Sequence, residues 1–163
     1  MPNLKLQVGR ALKVIPSVNT NIPMPNVIVT STATATTANK LVDSTKNFSS
    51  SGVNPLNIQV GDIVYNYTAL QAAVVTNVDS ATQLSLNVNI MATTQVYKLY
   101  SGTNNTGSIE PCVLYVGTGG DLNLTTAGGD IVDLLNVPSG TFLPIQTIKI
   151  SGSSSASDII ALW

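Results

Sequence analysis

The sequence predicts an all-β protein: an extended N-terminal arm followed by two small β-sandwich- or barrel-like modules. Three observations carry that expectation. Short β-branched and aromatic runs recur with apolar side chains at every second position, as in Leu84, Leu86, Val88 and Ile90. Clusters of Gly, Asp, Ser and Pro separate the runs at the short spacing of meandering sheets. Beyond a single turn around Ser44–Phe48, no stretch invites a helix.

The arm spans residues 1–29 and carries Pro2, Pro16, Pro23 and Pro25, which exclude a helix because each pushes its predecessor toward extended geometry. It is nevertheless too apolar for a disordered tail, and Leu4, Leu6 and Val8 alternate as in a strand. Two readings stand for it. It adds to a neighbouring subunit, with Leu4, Leu6, Val8, Leu12, Val14 and Ile15 as contact residues, or it folds onto its own domain as a first strand. Residues 30–100 form the first β module: a β-branched VIVTSTATATT, then KLVDSTKNF with turn chemistry at Asp43-Ser44 and Asn47, then strands expected in IQVGDIVYNYT, AAVVTNVDS, QLSLNVNI and QVYKLY. Residues 101–108, SGTNNTGS, read as a linker by composition. Residues 109–163 form the second module, with strands CVLYV, DLNLTT, DIVDLLNV, FLPIQTIKI and DIIALW. Within it, Gly117–Asp121 (GTGGD) lacks phosphate-loop spacing and is expected to be a hairpin turn.

Composition points to assembly. Only 9% of residues are charged and the net charge is -1, against about 25% charged in an ordinary soluble domain. Thr, Ser and Asn take the place of the missing charges. Such a surface repels its own copies weakly, and it is cheap to bury because few ions must be desolvated. The charges are also segregated. Residues 1–42 hold Lys5, Arg10, Lys13 and Lys40 with no acid, whereas residues 101–163 hold Glu110, Asp121, Asp130, Asp133 and Asp158 against Lys149 alone. The two ends are therefore expected to attract each other between subunits. Three cations over the first thirteen residues make too sparse a footprint for nucleic acid.

The chain lacks the usual equipment of catalysis. It contains no histidine, which removes the commonest general base and transition-metal ligand. The single cysteine, Cys112, reads as a small apolar strand residue, and Asp130 and Asp133 as solvated groups near a turn. No enzymatic activity, cofactor, metal or small-molecule substrate is expected. No apolar run approaches the ~20 residues of a membrane span. The N-terminal stretch lacks the uninterrupted apolar core of a secretion signal, so use on the cytosolic side is expected.

A resemblance sharpens this reading. Residues 32–100 contain Lys40-Leu41-Val42-Asp43, Val60-Gly61-Asp62-Ile63-Val64-Tyr65-Asn66 and Val78-Asp79-Ser80-Ala81-Thr82 before Leu84-Ser85-Leu86. This stretch resembles a module of structural proteins in tailed bacteriophages. Residues 112–163 are similar to a short β domain of small phage virion proteins. Gln7–Ser17 with Asn21-Ile22-Pro23 resembles the opening of such proteins in large marine and cyanobacterial phages. The resemblance implies a non-enzymatic virion protein, assembled in the host cytoplasm, whose partners are the major capsid protein and copies of itself. The arm, low charge and small size favour a capsid decoration (cement) protein; the alternative is a tail, neck or baseplate component such as a fibre or spike element. The chain departs from the pattern in SGVNPLN and NYTALQA, which are candidate contact loops.

Overall fold

The computed structural model describes residues 8–104 and 106–163; among them it holds twelve strands and no helix. They form two antiparallel sheets of six strands. The C-terminal sheet contains β1 (Ala11–Lys13), β8 (Cys112–Thr118), β9 (Gly120–Thr126), β10 (Ile131–Val137), β11 (Thr141–Ile150) and β12 (Ser157–Leu162), in the order β1-β12-β8-β11-β9-β10. The N-terminal sheet contains β2 (Val27–Thr32), β3 (Lys40–Val42), β4 (Ile63–Asn66), β5 (Gln71–Ser80), β6 (Gln83–Leu86) and β7 (Val96–Tyr100), in the order β2-β7-β4-β5-β6-β3. An isolated bridge from Ala35, just beyond β2, to Val42 in β3 ties the two ends of this sheet together.

The N-terminal sheet is buried on both faces at its centre, and β4 shows how. All four of its residues are buried, although the strand is short. Ile63 and Tyr65 point into a core shared with the C-terminal sheet, beside Ala72, Tyr100, Leu114, Leu122, Leu124 and Ile159. Val64, on the opposite face, joins a second core with Leu41, Phe48, Ala73, Val75, Leu84, Tyr97 and Leu99. Strand alternation thus feeds two cores from one sheet. The link is tightened at Gly61 and Gly102: a Cβ at Gly102 would lie 2.0 Å from the carbonyl oxygen of Gly61, so only glycine permits this approach.

The segment before β2 is laid along the C-terminal sheet. Ala11–Lys13 pairs with Ile160–Leu162, and the chain continues with Val14 N donating to Ile159 O, Ser17 N to Ile150 O and Ile22 N to Ile148 O. Leu12, Val14, Ile15 and Ile22 are buried in the shared core. Met24 N then donates to Ser101 O, carrying the chain over to the other sheet.

Two expectations are revised. Gly117–Gly120 is not a hairpin: β8 and β9 are separated by Gly119 alone, yet β11 lies between them and pairs with both. The glycines instead let backbones meet at a corner, since a Cβ at Gly119 would lie 2.4 Å from Val137 O and one at Gly117 2.9 Å from Asp158. Around Ser44–Phe48 there is a turn and no helix. Asp43 caps it, accepting hydrogen bonds from Thr45 N at 2.9 Å and Thr45 Oγ1 at 2.6 Å, a local competition with helix typical of Asp. Pro144, inside β11, falls where the pairing with β8 shifts register between Leu143 and Thr147, which spares the ladder a missing donor.

Candidate functional site

The reactive groups of the chain are occupied by its structure. Cys112 is buried, with Sγ 3.4 Å from Thr147 O, and burial pushes its thiol up to about 12, leaving it protonated at neutral pH. Asp43 is fully buried. Burial alone would raise its pKa, but hydrogen bonds from Ser31, Thr45 and Tyr97 outweigh that and hold it below the ordinary value. The Tyr97 hydroxyl donates to Asp43 Oδ2 at 2.7 Å, inside the second core. Burial raises Asp62 despite hydrogen bonds from Gln59 N and Gly102 N. Asp133 accepts from Asn123 Nδ2 at 2.6 Å. Among the described residues, no group of three or more Cys, Asp or Glu lies together as a metal site.

Two of the seven basic residues are paired with carboxylates. Lys13 Nζ lies 2.9 Å from Asp158 Oδ1 and Lys40 Nζ 2.8 Å from Asp79 Oδ2, and each contact holds its carboxylate below the ordinary range. The attraction between arm and C-terminal module expected between subunits is therefore met, at Lys13, within one chain. A cleft of about 560 Å³ is lined by Arg10, Met24, Ser101, Asn104, Glu110 and Trp163 among others. It presents a single carboxylate and no nucleophile–base pair.

Three of the six arm residues expected to touch a partner are already in contact with their own chain. Leu12, Val14 and Ile15 are buried in the shared core. Val8 is 46% exposed, and Leu4 and Leu6 lie outside the described residues. Sequence reasoning left two readings of the segment open, because an apolar strand looks alike whether its sheet belongs to its own chain or to a neighbour's.

What the surface offers is apolar area on the outer face of the C-terminal sheet. The inward set on β8 and β12 is Cys112, Leu114, Val116, Ile159 and Ala161, so the alternate residues face out. Register places Lys13, Ile160, Tyr115 and Phe142 side by side across β1, β12, β8 and β11, with Ala11, Leu162 and Val113 as a second row. Tyr115 is 40% and Phe142 39% exposed. On β10, Val132 and Leu134 pack on the core while Ile131 and Leu135 stand 73% and 70% exposed. Sequence alternation alone could not find these rows, because they depend on which strands are neighbours. The loops at residues 51–57 and 66–72 also carry exposed apolar tips, Val53 and Leu70. Asn47 Nδ2 pins the first by donating to Ser51 O and Val53 O. In the second, Asn66 Oδ1 accepts from Thr68 N and Ala69 N.

Comparison with family models, curated proteins and solved structures finds no match to this chain.

Proposed function

We propose that this chain is a non-enzymatic virion structural protein, a capsid decoration (cement) protein that binds the major capsid shell and stabilises it. The observation that carries this reading is the outer face of the C-terminal sheet, where Ile160, Tyr115 and Phe142 form one apolar row on a protein with only 9% charged residues. Apolar area of this kind is worth about 25 cal/mol per Å² when covered, and neutral polar surroundings add little desolvation cost. The motifs of residues 32–100 and 112–163 supply the tailed-phage setting, with the arm and two small sandwich- or barrel-like modules as its form. Tyr65, Tyr97 and Tyr100 are buried, which favours shell binding over a sugar-stacking surface built from those rings. Engagement of Lys13 and Lys40 by carboxylates leaves less for phosphate, in keeping with protein partners.

The reading is tested by adding purified chain back to particles that lack it. Binding that saturates and raises the temperature at which the shells open is expected. Loss of binding on changing Tyr115 and Phe142 together to Lys, in a chain that still folds, would place the contact on this face. Unchanged shell stability with no bound chain would overturn the reading.

A further inference from the structure

We propose that this chain pairs with a second copy through the tip of the β4–β5 hairpin, Leu70 of each copy entering the apolar pocket beside Leu70 of the other. The inference goes beyond the reading above and does not depend on it.

The knob is Leu70. Asn66 pairs with Gln71, so Tyr67–Leu70 form a four-residue turn between β4 and β5. At its last residue φ is 53°, in the left-handed region that glycine enters freely and leucine only at a cost. Leu70 nevertheless stands 67% exposed, so packing against the described residues offsets little of that cost. The tip is also held firmly. Asn66 Oδ1 accepts from Thr68 N and Ala69 N, and Thr68 Oγ1 accepts from Val96 N, all at 2.9 Å. The Tyr67 hydroxyl lies 2.8 Å from that of Tyr100. An apolar side chain presented on a fixed tip loses little freedom when it binds.

The hole adjoins the knob. A pocket of about 290 Å³ has Val14, Ile15, Pro16, Tyr67 and Ile159 among its walls, with Leu70 itself beside them. That is about twice the ~150 Å³ that takes a benzene ring. Lys13 and Asp158 also line it; Lys13 Nζ lies 2.9 Å from Asp158 Oδ1, and both side chains are exposed.

Self-complementarity argues for a second copy as the occupant. A knob and a hole on one patch satisfy each other across a two-fold axis, which seats each Leu70 in the other's pocket and brings the two leucines together at the axis. The same operation turns the Lys13–Asp158 pair end for end, so that Lys13 of one copy faces Asp158 of the other and the four charges alternate. A net charge of -1 opposes the approach weakly. One side chain seated in each direction places the contact at the small end of interface sizes, with a dissociation constant of about 10–100 µM.

Sedimentation velocity over a concentration series to about 500 µM tests this, and the full chain is expected to form dimers in that range. Leu70→Gly should weaken dimerisation about tenfold or more through the lost apolar contact. Its urea midpoint should stay the same or rise, because glycine relieves the positive φ. A leucine with a purely structural role would not give weaker pairing in an equally stable chain. At low salt, Lys13→Asp and Asp158→Lys should each dimerise less well than the unaltered chain, and their equimolar mixture better than either by itself. Both variants lack the pair within the chain, so only a contact between copies accounts for that recovery. A full chain that stays monomeric, a Leu70→Gly chain that dimerises equally well, or a mixture no better than its components would each overturn the proposal. A monomer that binds particles through Leu70 would overturn it and give the same tip to the shell protein. A dimer that never binds particles would uphold the contact and sink the decoration reading.

Discussion

Two buried tyrosines in the same sheet make opposite demands. The Tyr65 hydroxyl is buried toward the backbone of Ile15 without reaching hydrogen-bond geometry, and among the described residues it has no partner. Its ring is held by edge packing on Tyr100 at 5.3 Å, which a phenylalanine would keep. Tyr65→Phe is therefore expected to leave stability unchanged or raise it by up to about 1 kcal/mol in urea unfolding. Tyr97→Phe removes the donor to the buried Asp43 carboxylate and should cost about 2 kcal/mol. The second effect depends on pH with a definite sign. Asp43 is held below its ordinary value of 3.8, so its contribution is present above that pH and is lost as the pH falls through the lower folded-state value. The Tyr97→Phe penalty should be full near neutrality and shrink in acid. Asp62, raised by burial, contributes with the opposite sign, but it is common to both proteins and cancels in their difference. A Tyr97→Phe penalty that grows in acid would contradict the assignment. Neither tyrosine role was legible in the sequence, because Asp43 and Tyr97 are 54 positions apart and nothing in either segment announces the other.

At the level of elements, most strands were legible and their neighbours were not. Alternation in QLSL, CVLYV, DLNLTT and the IQTIKI part of β11 marks real strands, because side-chain period is a local property. Gly117–Gly120 misled because glycine marks both a hairpin and a corner, and the insertion of β11 between β8 and β9 is decided some twenty residues later. The arm repeats the lesson: its extended, apolar character was evident, but not that β1 would pair with β12. That pairing makes two truncations diverge. Removing residues 1–7 leaves every described strand and core side chain in place. Removing residues 1–25 takes away β1 with Leu12, Val14, Ile15, Ile22 and Met24. At about 2 kcal/mol or more per lost core side chain, that is comparable to the whole stability of an ordinary domain, and the C-terminal sheet should no longer fold. A cooperative melt in the longer truncation would contradict this placement of the arm.

Across the whole molecule, the two sheets are joined by one core, in which Ile63, Tyr65, Ala72 and Tyr100 of the N-terminal sheet interleave with Leu114, Leu122 and Ile159 of the other. Calorimetry is accordingly expected to show a single unfolding transition, with equal calorimetric and van't Hoff enthalpies; two separated transitions would mean that the shared core does not couple the sheets. A charge-poor body with an apolar outer row has surface to give to neighbours. The central claim, that the chain acts by being built into a shell, is tested most directly by its copy number in purified particles, measured by quantitative mass spectrometry against the major capsid protein. The account predicts a ratio near one to one. A ratio of a few per cent would contradict the cement role and move the chain to the tail or neck, and its absence from particles would contradict the virion reading altogether.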